Sequence, residues 1–385
     1  MTDNVIGIIV AVAVNMALSL MPAKLAKDKG CSFLAYWFLG IFLTFITCCM
    51  VVESLEDKRA PLANWKPANG HSKPVHPGNK DIPGLALTGI FLLGAIILCM
   101  TDSRFFAVEN LRNVIGVQFG FYAAAALAVA LTMKAGGPDI SFVPLSVLAG
   151  YIAASGDPFW GLVSALGVCL LIGIVNGLIV TLTNMPAVIA TLITGALALL
   201  SSRLAFGTAL KITGGAYVSN SYLLPVIAAA VCAALVFFTK LRLPKDRHLS
   251  SGSRSRKNKA LWRKNIAHIA AYAASAAIAA LAGYFIAKRL GAARQDSGQE
   301  LYAVVAIVFF AVSSLRLRDS KWSVFYALVP ALGWTLLGNA MNLLSMSSYD
   351  QMLVRAIVII MFSAVFFVSR VKRRSAKKKD QESVV

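Results

Sequence analysis

Met133-Lys134-Ala135-Gly136-Gly137-Pro138-Asp139-Ile140-Ser141 lies between two apolar, alanine-rich segments. Two glycines and a proline are poor material for a membrane helix, and a carboxylate is costly in hydrocarbon. Two readings fit. A surface turn would use Asp139 to cap the next helix. An irregular segment at membrane depth would need protein or a water-filled cavity around it.

The flanking sequence favours the membrane setting. The 385 residues are 58% hydrophobic and 14% charged, with a mean hydropathy of +0.72. That composition excludes a soluble domain and defines a polytopic, all-α membrane protein. The formal net charge of +20 resembles a nucleic-acid signal, but the basic residues sit in a few loops and the tail. That is the positive-inside pattern, so no nucleic-acid partner is expected. Cys31, Cys48, Cys49, Cys99, Cys169 and Cys232 lie in or beside apolar spans and form no CxxC pair. They read as small hydrophobes, without a disulfide framework or metal site. His71 and His76 fall in a polar linker and are not expected to bind metal. Met1-Thr2-Asp3-Asn4 lacks the positive charge of a signal-peptide n-region, so Val5–Met21 reads as a membrane helix.

Val5–Met21 and Ser32–Val52 suggest an N-terminal helical hairpin (1–52), with Pro22, Lys24, Lys27, Lys29 and Gly30 in its turn. A proline-rich polar linker (53–81) follows. Ten spans are expected beyond it: Ile82–Met100, Val117–Met133, Phe142–Ala154, Trp160–Leu182, Pro186–Ser202, Tyr222–Leu241, Ile266–Lys288, Leu301–Ser314, Ser323–Met341 and Met352–Ser369. They make a membrane domain over 82–374, ending in a basic cytoplasmic tail at 375–385. With linker and tail inside, ten basic residues in Lys240–Lys264 and seven in Arg370–Lys379 become cytoplasmic. The same alternation puts the hairpin lysines outside. Either a short turn tolerates them, or one hairpin segment does not cross.

Tyr122–Leu131 reads YAAAALAVAL and Tyr272–Leu281 reads YAASAAIAAL, alike at six of ten positions. Asn176 followed by Asn184-Met185-Pro186 is echoed by Asn339 followed by Ser347-Ser348-Tyr349. Alternation gives the members of each pair opposite orientations, the pattern of an inverted-topology repeat. Unrelated helices built from the same small residues would look similar.

Several ordered segments resemble the permeases of ribose-type ATP-binding-cassette importers. They are Gly136-Gly137-Pro138-Asp139-Ile140-Ser141, Leu148-Ala149-Gly150-Tyr151, Gly173-Ile174-Val175-Asn176-Gly177-Leu178, Pro186 through Leu192, and Leu336 through Leu344. The resemblance covers roughly Ile82–Arg374. It implies a ten-helix core with inverted repeats in a bacterial inner membrane, importing a sugar or similar small polar solute by alternating access. It also implies a second permease copy or paralogue, a cytoplasmic ATPase subunit that binds the ATP, and an extracytoplasmic solute-binding protein. No GxxxxGK[ST] phosphate loop occurs in the chain. No cofactor and no enzymatic activity are therefore expected of the chain itself.

Gly136, Gly137, Asp139, Ser141, Asn176, Asn339 and Asn342 are the helix-break or translocation-path candidates. For Asp139 a capping role is preferred, and for the asparagines interhelical hydrogen bonds. The basic loop is expected to meet anionic lipid head groups. Leu243 through Lys257 lacks the Gly-Ala coupling pattern of the family. That departure leaves a rival reading, a permease-derived scaffold or regulator that has lost its ATPase.

Overall fold

The structure, a computed structural model, describes residues 10, 12–55, 82–135, 137–183, 185–211, 254–314 and 322–382. It is an all-α polytopic bundle. Six helices among the described residues are long and apolar enough to cross a membrane: Pro83–Met100, Val108–Ala135, Pro158–Thr183, Ala187–Phe206, Ile266–Leu290 and Ser348–Val371.

The N-terminal unit differs from the expected hairpin. Helical residues 12–18 lead into α1 (Leu20–Asp28), which carries Pro22, Lys24 and Lys27 instead of leaving them in a turn. Pro22 falls in the first turn of α1, where a missing N–H costs little. The turn comes later, at Gly30, whose φ is +82°. The second segment is broken into α2 (Phe33–Leu43) and α3 (Phe45–Ser54) at Thr44, a non-glycine residue with φ of +69°.

Asn15 holds the broken ends together. Its Nδ2 donates to the carbonyls of Gly40 (3.4 Å) and Ile41 (3.0 Å), and its Oδ1 accepts from Phe45 N–H (3.3 Å). Lys29 closes the other end. Its ammonium donates to the carbonyls of Val52 (2.6 Å), Glu53 (3.1 Å) and Leu55 (2.8 Å) at the end of α3. A lysine is well suited there, because a helix C-terminus presents unpaired carbonyls and a partial negative charge.

The start of α2 and the end of α3 therefore lie at one face of the bundle. Helices of 11 and 10 residues rise only about 15 Å each, half of a ~30 Å hydrocarbon core. Ser32–Val52 enters and returns. A second segment that does not cross fits this geometry, because Lys29 lies against the end of α3, Lys24 lies over the Phe367 ring, and Glu53 pairs with Arg370.

The core follows as α4 (Ile82–Met100), α5 (Phe119–Ala135), α6 (Phe142–Ala154), α7 (Pro158–Thr183), α8 (Ala187–Phe206), α9 (Arg254–Leu290), α10 (Gln299–Ser314), α11 (Trp322–Leu343) and α12 (Ser348–Glu382). A short helix and a π-helical stretch, Arg112–Gln118, run into α5, so this span starts near Val108 and not at Val117. The last helix is likewise longer than expected, and its helical backbone continues to Glu382. The expected span Tyr222–Leu241, Gly136, most of the linker and most of the Lys240–Lys264 loop lie outside the described residues.

Helix α5 is enclosed along nearly its whole length, whereas α4, α7 and α12 form the periphery. Membrane helices have no hydrophobic drive toward one another, so close approach depends on small residues. Gly161, Ala165, Cys169, Gly173 and Gly177 form such a buried stripe on α7. A Cβ on Gly173 would lie 2.7 Å from the Tyr272 carbonyl, and one on Gly177 2.6 Å from Ile269 Cα, so the α7 and α9 backbones touch. At the opposite end of the bundle, β1 (Ala209–Lys211) pairs antiparallel with β2 (Ala292–Arg294).

The re-entrant geometry sets a sidedness. Cysteines placed one at a time at Lys27 and Ser375, in a cysteine-free background, are expected to react with a reagent confined to the cytoplasmic side. Labelling of Lys27→Cys from outside would restore a crossing second segment.

Candidate functional site

The Gly-Gly-Pro-Asp stretch is a break between α5 and α6, and it is buried. Gly137 has no room for a side chain. A Cβ there would meet Ala187 Cβ at 2.8 Å and Ser54 Cβ at 3.8 Å. The break is thus roofed by the start of α8 and by the end of the N-terminal unit.

Asp139 is 1% exposed. Its Oδ1 accepts from the Ser141 N–H (2.9 Å) and the Ser141 hydroxyl (2.6 Å). Its Oδ2 accepts from the Ser275 hydroxyl on α9 (2.8 Å). Its N–H donates to Thr132 Oγ1 on α5 (3.2 Å). The next N–H, of Ile140, donates to Thr191 Oγ1 on α8 (3.2 Å). Asn176 on α7 donates from Nδ2 to Ser141 Oγ (3.0 Å), and Tyr272 on α9 donates from its hydroxyl to the Gly137 carbonyl (3.1 Å).

Residues from α5, α7, α8 and α9 therefore satisfy the polar atoms that a broken helix exposes. Asp139 accepts one backbone N–H, that of Ser141, and it also ties the break to α9. Three donors converge on the one carboxylate, which has no Lys or Arg hydrogen-bonded to it among the described residues. Asn176 Oδ1 is buried without a hydrogen-bond partner.

The candidates divide into two places. Gly137, Asp139, Ser141 and Asn176 come together at the break. Asn339 and Asn342, near the end of α11, lie at the opposite end of the bundle. Asn339 makes a reciprocal amide pair with Asn110, at 2.8 and 3.3 Å. Asn342 accepts from Gln351 Nε2 (3.2 Å) at an exposed position. Both act between helix ends and neither reaches the buried cluster.

Sequence reading missed Thr132, Thr191, Tyr272 and Ser275 as members of the site. One signal was present. Where the repeat of Tyr122–Leu131 has Ala125, the second copy has Ser275, the hydroxyl that binds Asp139.

Irregular polar backbone within a bundle of apolar helices is tolerated where protein surrounds it, as it does here. The chain is a divergent relative of the ribose-type ATP-binding-cassette permeases. It is 29% identical to the ribose import permease protein of Haemophilus influenzae over 285 residues, covering 69% of this chain and 87% of that protein. It is 27% identical to that of Escherichia coli K12 over 303 residues, covering 72% and 91%. For that of Bacillus subtilis the figures are 26% over 291 residues, 71% and 88%. No family model matches the chain. No solved structure matches it.

The contacts at the break order its variants. Gly137→Leu is expected to cost ~1–3 kcal/mol through overpacking against Ala187. Asp139→Asn is expected to cost about 1 kcal/mol, because the Ser275 hydroxyl can turn to accept from the new amide. Asp139→Leu leaves the Ser141 N–H and two hydroxyls unpaired and should cost ~3 kcal/mol or more. Unfolding of the purified protein in mixed micelles measures all three. Equal effects of Asn and Leu would contradict the bonding described.

Proposed function

We propose that the chain is the membrane-spanning subunit of an importer for a small polar solute, a monosaccharide such as ribose being the first candidate. It works by alternating access. The buried break carries this reading: irregular backbone joined by hydrogen bonds to helices of both halves is unnecessary for a passive anchor, and it matches inverted-repeat transporters. The relatives named above supply the solute class.

Energy comes from a partner ATPase, since the chain has no phosphate loop of its own and performs no chemistry. The solute is delivered by an extracytoplasmic binding protein, and a second permease copy or paralogue completes the path. The setting is a bacterial inner membrane, with the basic loop and tail against anionic lipid at the cytoplasmic face. A rival reading, a scaffold or regulator without an ATPase, draws support from the sequence Leu243–Lys257, which lacks a Gly-Ala coupling pattern. The end of the N-terminal unit over the break, at Ser54, also favours it.

Uptake decides between them. Deleting the gene in its host is expected to reduce accumulation of radiolabelled ribose, or another monosaccharide, from micromolar medium at least tenfold. The native chain should restore uptake and Gly137→Leu should not. Unchanged uptake across a panel of monosaccharides would overturn the transport reading in favour of the scaffold.

A further inference from the structure

Tyr122 and Tyr272 occupy the same place in the ten-residue match, and the structure gives them reciprocal partners. Tyr272, on α9, bonds the Gly137 carbonyl in the break before α6. Tyr122, on α5, bonds the Glu300 carboxylate at the start of α10. Each tyrosine thus leaves the helix that precedes one break and grips the other.

The two gripped places are themselves alike. Helices α6 and α10 are both short, at 13 and 16 residues. Each is entered through irregular backbone, 137–141 for α6 and 291–298 for α10. The second stretch contains β2 and has positive φ at Gly291 and Gly298. Each has a second bond close by. Ser275 bonds Asp139 at the first (2.8 Å), and Arg355 pairs with Glu300 at the second (2.9 Å). The two clusters lie toward opposite ends of the bundle.

Helix α9 links them. It carries Tyr272 and Ser275, continues to Leu290 and feeds the second break at Gly291. A rigid helix of that stretch is about 27 Å long. It leans directly on α6, since a Cβ on Gly283 would collide with the Ser146 carbonyl and one on Gly150 would lie 3.3 Å from the Gly283 carbonyl. A shift of α9 that loosens one cluster is therefore transmitted to the other.

We propose that Tyr122 and Tyr272 are paired positioning residues, two latches at opposite ends of the bundle. Releasing one tightens the other. The inference rests on the transport reading above and adds the residues that set which end is closed. Loss of uptake tests that reading, whereas the latches are tested on the solute-free chain, so the two fail separately.

The test is amide hydrogen exchange on the full chain in lipid nanodiscs. Tyr122→Phe is expected to speed exchange about tenfold at residues 292–300 and to slow it at 137–142. Tyr272→Phe is expected to do the reverse. Arg355→Met and Ser275→Ala remove the second bond of each cluster and should reproduce the two patterns, which covers a tyrosine variant that does not fold. Faster exchange at both breaks, a change confined to the released break, or no change at either would overturn the proposal.

Discussion

An ionisable side chain and five residues of irregular backbone cannot face hydrocarbon, and the rest of the bundle is arranged around meeting that constraint. The break at 137–141 survives because helices on every side supply what it lacks. Thr132, Thr191, Asn176, Tyr272 and Ser275 are scattered over more than a third of the chain, yet they meet within hydrogen-bonding distance of three consecutive residues and Gly137. Such a network is strong when complete and costly when one member is lost. Its placement demands close backbone approach, and the small residues of α7, together with Gly283 on α9, permit it. Packing and polar satisfaction are therefore one problem here.

The N-terminal unit solves the same problem by other means. It also breaks a helix in an apolar setting, at Thr44, and it also uses one polar side chain, Asn15, to cover the exposed backbone groups. Lys29 then turns a charge that a spanning hairpin would have placed on the wrong side into a cap for α3. The unit is joined to the core by the Glu53–Arg370 pair, by Lys24 over the Phe367 ring at 5.8 Å, and by Ser54 beside Gly137. Its buried residues, including Cys48 to Val52, belong to the same apolar cluster as those of α5 and α10.

Much of this was legible in the sequence. Composition and charge placement gave the all-α membrane fold, and the break stood out because Gly, Pro and Asp contradict their surroundings. Helix lengths were less legible. Apolar runs mark where lipid contact is possible, not where hydrogen bonding stops, so α12 and the span before α5 run past the apolar limits. The re-entrant turn at Thr44 was hidden because no glycine or proline marks it. Its cause is a distant asparagine. The hydroxyls around Asp139 were hidden for a similar reason: single Ser and Thr residues on apolar helices normally bond their own backbone, and only tertiary contact assigns them elsewhere. Residue 275 was the exception, visible as a departure from the internal repeat.

The break is bonded to α9 through Asp139 and Ser275 inside the folded bundle. A double-mutant cycle of Asp139→Ala and Ser275→Ala on reversible unfolding in mixed micelles tests it most directly. A coupling of roughly 1–3 kcal/mol is expected, as for contacting members of one hydrogen-bond network. Effects that add to within about 0.5 kcal/mol, as for independent sites, would contradict it.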